Sequence, residues 1–574
     1  MRYRRLTSCS VMVWLTIVVS PADLSAQAET NRVAGAKARL EQAATVLRTL
    51  PAPTRKGISG SAANLLHIAE GFEKVEDRGL PKRLQQAAAL ATPQPAAPTK
   101  DASPGIQVSN PATDAFFSVM AGFTQSETST AWCGNNVVVG FNDSGSVFES
   151  LFFGTGGVSF NGYARSTNAG AGYADLGFLN PGPNPANFLG GDPVLGCSSA
   201  DTFHYASLFF TVEGISPISA ISVSTSGDGG ATFADPIIAA GKDASTHFLD
   251  KPWFAVDPNS ANRLYVTYTD FDVSGTLCGV DPVFGPIARI AIEFVRSTNG
   301  GADWSAPIVL QEVCSPVTVP GLFVQGSQIA IGPAGEVYVG WEFYDADFVT
   351  RTIRIRRSSN GGASFAAAVD VTAVECVGDC FALQGGFRAF LDLGAVVVDR
   401  SGGPAHGNVY LVYQSGGVEV PDAESPDGTY DYADIWIRRS ADGGTTWSPA
   451  ARVNSNAEPV PGGRGTDQYM PYAATDNTGR VAVGFYDRRR DRQNFFVDRF
   501  FAVSIDGGAS WFDVQESTRS FPPIHATDLF INPAYMGDYD VLTSDATQVN
   551  AGFVGAYQVI SVRGNPDVTA MKRH

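Results

Sequence analysis

The sequence predicts an all-β protein, a seven-bladed β-propeller with a short helical segment at its N-terminal end. One phrase, Ser-x-Asp/Asn-x-Gly-x-x-aromatic, occurs six times at intervals of roughly 60 to 80 residues, which indicates an array of similar units. Seven pairs of alternating apolar strands occupy the same part of the chain. A lone strand-like stretch, residues 105–110, precedes the first unit and can complete the last one.

Residues 1–28 have the three parts of a secretory signal peptide. A basic start is followed by the apolar run 11–19 and by the small-residue site Ala26-Gln27-Ala28. The apolar run is shorter than the roughly 18 residues that a membrane-spanning helix needs. We therefore expect an exported protein, either periplasmic or secreted to the extracellular space.

Residues 29–92 have a helical periodicity that the rest of the chain lacks. Leu40 and Leu47 share one helical face, and a second apolar run begins at Leu65. A Pro/Ala-rich linker, residues 93–105, follows these two or three predicted helices. A pro-region, a docking arm and a spacer all fit such a segment.

The repeated phrase is a turn signal. Asn-Gly or Asp-Gly between β-rich runs favours a tight hairpin, because Gly tolerates positive φ and Asn or Asp tolerates it best among the other residues. The aromatic residue is expected to fill the apolar space beneath the turn, so Asp442 and Trp447 are predicted to be structural. The six copies span Ser166–Tyr173, Ser226–Phe233, Ser297–Trp304, Ser358–Phe365, Ser440–Trp447 and Ser504–Trp511.

Each unit is predicted to contain four strands, with the repeated turn between the third and the fourth. The seventh unit lacks a fourth strand of its own. Because a propeller must close its ring, we expect Ile106–Ser109 to complete the blade that begins near Asp538. The propeller is then predicted to span residues 106–564, followed by a C-terminal tail, residues 565–574.

The cysteines predict disulfides. Removal of the leader leaves six of the seven cysteines, an even number in an oxidising compartment. Distance along the chain favours the pairs Cys376–Cys380, Cys278–Cys314 and Cys133–Cys197. Metal binding by these cysteines is disfavoured, because no His lies at ligand spacing from any of them.

The chain is acidic. Its formal net charge of −17 disfavours nucleic acid and anionic membranes as partners. Nothing after the leader is apolar over the length of a membrane-spanning helix, so membrane insertion is not expected either. The sequence does not indicate an oligomeric state.

The six phrases resemble the Asp-box of sialidases and related BNR-repeat proteins, and the resemblance covers about 450 residues, 106–564. It implies a β-propeller, with the six-bladed sialidase form as the alternative to seven blades. It also implies a glycoside hydrolase or related carbohydrate-active enzyme, such as an exo-sialidase, acting on a carbohydrate or glycoconjugate. Asp-boxes also occur in lyases, receptors and binding proteins, so a non-catalytic propeller that binds a glycan or protein at the cell surface is the alternative.

Topology places the candidate site on the propeller face opposite the repeated turns. Carboxylates there can act as acid, base or nucleophile toward a glycosidic bond, and arginines can bind an anionic group. The candidate catalytic residues are Asp250, Asp270, Glu342, Tyr344 and Asp487. The candidate substrate-binding residues are Lys251, Arg388, Asp467, Arg488, Arg489, Asp538 and Tyr539. The wider set on this face includes Glu127, Asp143, Asp192, Asp272, Asp345, Gln468, Tyr469 and Arg490.

The sialidase pattern is incomplete in this chain. The Phe-Arg-Ile-Pro phrase that carries one of three sialidase arginines is missing. Tyr344 beside Glu342, or Tyr539 beside Asp538, can imitate the sialidase pair of a Tyr nucleophile and its activating acid.

No cofactor is expected, because the chain has no phosphate loop and no dinucleotide fingerprint. Calcium is the alternative. Asp270, Asp272 and Asp281 supply hard oxygen ligands within one predicted loop.

Overall fold

The computed structural model describes residues 21–50, 52–65, 68, 105–110, 123–283, 285–316, 321–346, 350–378, 380, 382–384, 387–389, 391–421, 429–457, 465–517, 519–523, 528, 530–531, 536–560 and 566–573. Most of the predicted signal peptide and linker, and the third helix expected near Pro81, lie outside the described residues.

Seven antiparallel sheets form the blades of a β-propeller, which confirms the predicted fold class. Within a blade each of the four strands pairs antiparallel with the next, and the first strand is the innermost. The strands are Gln125–Cys133, Asn136–Asp143, Asn161–Ser166 and Ala174–Phe178 in blade 1; Val194–Cys197, Phe203–Glu213, Ser216–Ser226 and Ile237–Asp243 in blade 2, with the short strands Val158–Ser159 and Phe188–Leu189 in the same sheet; His247–Val256, Leu264–Asp272, Ala288–Ser297 and Ile308–Ser315 in blade 3; Phe323–Ile331, Val337–Tyr344, Thr350–Ser358 and Val369–Glu375 in blade 4; Leu393–Val398, Val409–Pro421, Thr429–Ser440 and Ala451–Arg452 in blade 5; Gln468–Thr475, Val481–Asp487, Asp498–Ser504 and Phe512–Gln515 in blade 6; and Leu542–Thr543, Phe553–Ile560, Pro566–Arg573 and Ile106–Gln107 in blade 7. Two small hairpins lie outside the blades, Val280–Asp281 with Gly285–Pro286 and Ala382–Leu383 with Phe387–Arg388.

The ring closes between the two ends of the propeller chain, as predicted. Ile106 pairs with Ala570 at the outer edge of blade 7. One expectation is corrected here, because the residues predicted to be a C-terminal tail contain the strand Pro566–Arg573, the third strand of that blade. Alternation of buried and exposed residues in so short a terminal stretch was too weak to reveal this strand from sequence.

The repeated turns join the third and fourth strands of blades 1 to 6 and bind neighbouring blades together. In each turn the Ser hydroxyl accepts a hydrogen bond from the backbone N–H of the Gly four residues later. The distance from Gly362 N to Ser358 Oγ, for example, is 2.9 Å. Gly362 has a φ of 74°, and a Cβ there would stand 2.7 Å from Phe294 of the preceding blade. The phrase therefore requires Gly both for the left-handed backbone and for close packing between blades.

Helices α1 (Pro21–Thr49) and α2 (Ala52–Lys56) precede the propeller, and residues 60–65 are also helical. Helix α3 (Ser144–Phe153) follows the second strand of blade 1 and is capped by Asp143, whose carboxylate accepts from the backbone N–H groups of Gly145 and Ser146. Buried side chains of the N-terminal segment belong to the same apolar core as the blades; they are Leu40, Leu47, Leu50, Ile58, Leu65 and Ile68. The segment is thus packed against the propeller.

Three disulfides join the cysteine pairs that the sequence predicts. Cys133–Cys197 links blades 1 and 2, Cys278–Cys314 links a loop of blade 3 to its fourth strand, and Cys376–Cys380 closes one turn. Among the described residues, no helix has the length and apolar character needed to cross a bilayer.

Candidate functional site

The innermost strands begin with an unusual backbone feature. At or just before the first strand of six blades, one residue has a left-handed conformation, with φ between 50° and 82° at Glu127, Asp192, Lys251, Gly326, Met470 and Gly537. In blades 1, 3, 4 and 6 the hydrogen-bond ladder with the second strand is interrupted at this residue. Such strain at non-Gly residues is maintained only by the surrounding structure and concentrates at functional sites.

This break brings polar side chains from different blades together around the axis. We call Glu127, Asp192, Asp250, Lys251, Arg388 and Asp538 the axial cluster. Lys251 Nζ lies at its centre, 3.1 Å from Asp538 Oδ2, 3.9 Å from Glu127 Oε1 and 4.4 Å from the centre of the Tyr539 ring. Burial disfavours the ammonium, but the carboxyl groups of Asp538, Glu127 and Asp192 outweigh it and raise the pKa of Lys251.

Asp538 is the ionised carboxylate of the axial cluster. Its Oδ1 accepts from Arg388 Nε at 2.9 Å, and its Oδ2 accepts from Lys251 Nζ. Burial opposes ionisation, but the positive charges of Arg388 and Lys251 prevail and lower the pKa of Asp538 to about 2. Asp538 is therefore a carboxylate throughout the neutral range.

Glu127 has the opposite behaviour. Its side chain is fully buried and accepts from Asn142 Nδ2 at 2.9 Å and from the backbone N–H of Asp538 at 3.0 Å. Burial, followed by repulsion from Asp192, raises the pKa of Glu127 well above its usual value. Burial thus favours the protonated form of Glu127 next to an ionised carboxylate, with Lys251 in contact with both.

The axial cluster lies above an aromatic floor. Trp253 is stacked on Tyr472 at 5.7 Å between ring centres and meets Tyr539 edge to face at 5.4 Å. These three rings come from blade 3, blade 6 and the start of blade 7, so they close the axis from different sides. A small cavity of about 20 Å³, room for about one water molecule, lies here, lined by Lys251, Trp253, Gly326, Gln328, Leu391, Gly394, Met470, Asp538 and Tyr539.

The mouth of the axial cluster is covered by residues 57–61, which we call the capping segment. The backbone N–H of Ser59 donates to Asp250 Oδ2 at 2.8 Å, and that of Gly60 donates to Asp538 Oδ2 at 2.7 Å. The Ser61 hydroxyl donates to Glu127 Oε2 at 3.0 Å. The capping segment therefore contacts carboxyl groups from three blades at once.

Asp250 also connects to blade 4. Its Oδ2 accepts from Gln325 Nε2 at 2.9 Å, whereas its Oδ1 has no hydrogen-bond partner among the described residues. Burial raises the pKa of Asp250, although the hydrogen bonds from Ser59 oppose the shift. A buried carboxyl with one unused oxygen can accept a further hydrogen bond from a ligand.

The predicted site residues fall into several groups. The structure brings together Asp250, Lys251, Arg388, Asp538 and Tyr539, the last of which donates its hydroxyl to Pro193 O at 2.9 Å. Asp270 lies elsewhere, in an ionic network where it accepts from Lys242 Nζ at 2.6 Å and from Arg289 Nη1 at 3.2 Å. The Asp270 carboxylate is therefore already paired with two cations, Lys242 and Arg289.

Glu342 and Tyr344 are in contact, as their proposed pairing requires, but they are buried between blades 4 and 5. Glu342 Oε1 accepts from the backbone N–H groups of Asp392 and Leu393, both at 2.7 Å, and Oε2 accepts from the Tyr344 hydroxyl. Neither side chain is exposed to solvent. This pair connects the end of one blade to the beginning of the next.

The remaining candidates lie around blade 6. Arg488 is fully buried, with Nη1 3.4 Å from Asp467 Oδ2 and 2.8 Å from Asn494 O. Arg489 Nη2 lies 2.6 Å from Asp487 and 2.8 Å from Asp513. Among the described arginines, Arg388 is the one that belongs to the axial cluster. Catalytic or binding roles for the candidates around blade 6 remain predictions.

Glu127 and Asp192 belonged to the wider sequence-based set but not to the twelve preferred residues, and Gln325 was in neither. Their common signal is position rather than residue type, since each begins the innermost strand of a blade. An acidic residue or Lys before Pro marks two of these starts, Asp192-Pro193 and Lys251-Pro252. Three of the predicted catalytic residues, Asp270, Glu342 and Asp487, lie instead at the ends of second strands, where they contact other groups.

The calcium alternative is not supported by the local contacts. Asp270 is bound to Lys242 and Arg289, and Asp281 accepts from the backbone N–H of Val283 at 2.8 Å. Within the described ranges no group of three His, Cys, Asp or Glu side chains is arranged to hold a metal ion.

No protein-family model and no curated protein matches the chain. Among solved structures, a polysaccharide lyase of family PL25, an ulvan lyase, is similar with 9% identity and a TM-score of 0.45 over 79% of this chain and 94% of that one. An α-L-arabinofuranosidase from Fusarium graminearum has 12% identity and a TM-score of 0.38 over 66% and 91%. A leech intramolecular trans-sialidase has 14% identity and a TM-score of 0.33 over 86% and 72%. At these values the likenesses bear on neither substrate nor reaction.

Proposed function

We propose that the chain is an exported carbohydrate-active enzyme, a glycoside hydrolase that acts at the axial cluster. The observation that carries this proposal is the opposite shift of two pKa values, raised for Glu127 and lowered to about 2 for Asp538, while both carboxyl groups contact Lys251. Glycoside hydrolysis needs one protonated and one ionised carboxyl group at the same bond.

The two carboxyl groups have separate roles in this reaction. Glu127 gives its proton to the glycosidic oxygen as the bond to the anomeric carbon breaks and the electron pair stays on that oxygen. Asp538 stabilises the positive charge that develops on the sugar ring. Water then adds to the anomeric carbon and loses a proton to the Glu127 carboxylate, which restores the initial state. Lys251 and Arg388 keep Asp538 ionised.

The charge of the axial cluster favours an uncharged sugar. Its two cations, Lys251 and Arg388, are both paired with Asp538, so a carboxylated sugar such as sialic acid would have to displace Asp538 to reach them. The rings of Trp253 and Tyr539 line the cavity beside the cluster, and aromatic walls are common in pockets that bind sugars and other small ligands. We therefore infer a neutral glycan rather than a sialoside.

The test is turnover of neutral aryl glycosides and oligosaccharides, with sialosides included for comparison. It uses the full chain and a Gly60→Pro chain, which lacks the backbone N–H that anchors the capping segment to Asp538. Glu127→Gln and Asp538→Asn should each lower turnover by about 10²- to 10⁴-fold. Asp370→Asn, on the exposed fourth strand of blade 4, is the matched control and should change nothing. No turnover on any substrate by either chain would refute the enzyme.

One observation favours a second candidate function, ligand binding without catalysis. The axial cluster already holds an unreactive peptide, the capping segment, through neutral backbone and hydroxyl groups. Under this alternative a glycan or protein ligand would bind equally well to the Glu127→Gln chain, and neither form would show turnover.

A further inference from the structure

We infer that the capping segment is an internal ligand of the axial cluster. The segment closes the cluster in the full chain, and withdrawal of the segment opens it. That the displaced ligand is a substrate rests on the proposed function. The closure itself rests only on the contacts of residues 57–61.

The capping segment satisfies the cluster as a bound molecule would. Three carboxyl groups accept its hydrogen bonds, from Ser59 N, Gly60 N and Ser61 Oγ. In return, Arg388 Nη2 donates to Ile58 O and Gln325 Nε2 donates to Gly57 O at 3.3 Å. Five consecutive residues thus present two acceptors followed by three donors, each partner coming from a different strand start or loop. Residues 57–61 are buried, so their polar groups need partners, and these partners are members of the axial cluster and Gln325.

Ser61 makes the densest of these contacts. Its hydroxyl donates to Glu127 and accepts from Asn142 Nδ2 at 2.8 Å and from the backbone N–H of Asp192 at 3.1 Å. Glu127 is the proposed acid, so this hydroxyl stands where a sugar hydroxyl or glycosidic oxygen would have to lie. Ligand and capping segment therefore cannot occupy the cluster together.

The capping segment carries no charge, and this indicates which kind of ligand can displace it from the axial cluster. Gly57-Ile58-Ser59-Gly60-Ser61 carries no charged side chain, and it meets the surplus of carboxyl groups with N–H and O–H donors. A competing ligand needs the same property, many donors and no negative charge, as in a neutral polyhydroxylated sugar.

The flanks of the capping segment, together with Ile58 within it, hold it against the blades. Before it, Thr54 Oγ1 lies 3.4 Å from Ser315 Oγ of blade 3. After it, Ala62 and Leu65 in the helical residues 60–65 are buried in the common core. No blade strand includes this segment, so its withdrawal leaves the ladders intact.

The experiment compares Gly60→Pro with Gly60→Ala in the full chain. Residue 60 begins a helical turn, a position that tolerates Pro, so the Pro variant removes the N–H that Asp538 accepts without breaking the helix. Gly60→Ala keeps that N–H. Ser61→Ala is the second variant, which removes the hydroxyl on Glu127.

Hydrogen exchange gives a readout that does not require activity. In the wild-type chain the amides of Ser59 and Gly60 should exchange on the order of 100-fold more slowly than in a free peptide of residues 52–68. In Gly60→Pro the Ser59 amide should lose this protection, whereas Gly60→Ala should retain it. Exchange of the wild-type amides at the free-peptide rate would overturn the closure.

Binding of the free peptide, residues 52–68, completes the test. It should bind to the Gly60→Pro and Ser61→Ala chains and not to the wild-type chain, whose site is occupied. Equal binding to all chains, or to none, would overturn the inference. Protected amides together with no turnover in any chain would keep the closure and refute the hydrolase, so the two proposals fail in different ways.

Discussion

Glu342 and its partner Tyr344 resemble a catalytic pair, but the contacts of Glu342 are those of a structural residue. Burial, with the charge of Asp392 adding to it, raises the pKa of Glu342 from 4.5 to about 8. Between these values the folded chain holds a proton that the unfolded chain has lost, so the free energy of unfolding falls as pH rises. The stabilisation is complete below about pH 4.5 and is lost as pH passes through about 8.

We therefore expect Glu342→Gln, which cannot titrate, to be less sensitive to pH than the wild-type chain between about pH 5 and 8. Gln keeps an oxygen for the backbone N–H groups of Asp392 and Leu393. Urea denaturation at several pH values measures the effect. Glu375→Gln, at an exposed strand end, is the control and should follow the wild-type curve. Identical pH dependence in all three chains would contradict a protonated Glu342.

At the same scale, Arg488 shows how a charged residue predicted to bind substrate can be buried in an ion pair instead. Arg488 belongs to a run of three consecutive arginines, which favours an exposed anion-binding site. The structure buries Arg488 completely against Asp467 and Tyr469. An isolated sequence cannot reveal this, because the charge that compensates a buried Arg lies 21 residues away.

At the scale of the element, the repeated turn of blade 5 is predicted to be structural. The Trp447 ring packs against an apolar cluster shared by blades 4 and 5, and its Nε1 donates to Gly444 O at 3.2 Å. Because the ring is only partly buried, Trp447→Ala should cost less than the roughly 3–5 kcal/mol typical of a fully buried aromatic, yet enough to lower Tm clearly. Trp447→Phe should recover most of the loss, as thermal unfolding would measure.

Ligand binding and turnover of the folded Trp447→Ala chain should be normal, since the turn lies on the face opposite the axial cluster. Loss of function with unchanged Tm would instead place the functional face at the repeated turns.

Turns and disulfides were predictable because each depends on residues close in sequence or on cysteine arithmetic. Gly362 in the repeated phrase and the pair Cys376–Cys380 are examples. The axial cluster was only partly predictable, because it joins strand starts such as Glu127 and Asp538, more than 400 residues apart. Which of many polar strand ends reach the axis depends on strand order within the blade, and no local pattern encodes it.

At the scale of the whole molecule, the ring depends on one short strand brought from the start of the propeller chain to its end. Val108 N donates to Val568 O at 3.0 Å, and the Val108 side chain is buried among residues of both blade 1 and blade 7. The strand therefore does two things, since it covers the outer edge of blade 7 and fills the seam where the ring closes.

Val108→Pro tests this closure, because it removes the donor while keeping an apolar side chain. We expect it to be about 1–3 kcal/mol less stable than Val108→Ala, which loses packing but keeps the N–H. Urea denaturation measures the difference, and the Pro chain should also show faster hydrogen exchange along Pro566–Arg573. Equal stability of the two variants would mean that the ring is held by contacts between blades alone. The axial cluster would then not depend on closure, although its members on blades 1 and 7, Glu127 and Asp538, lie on the two sides of that seam.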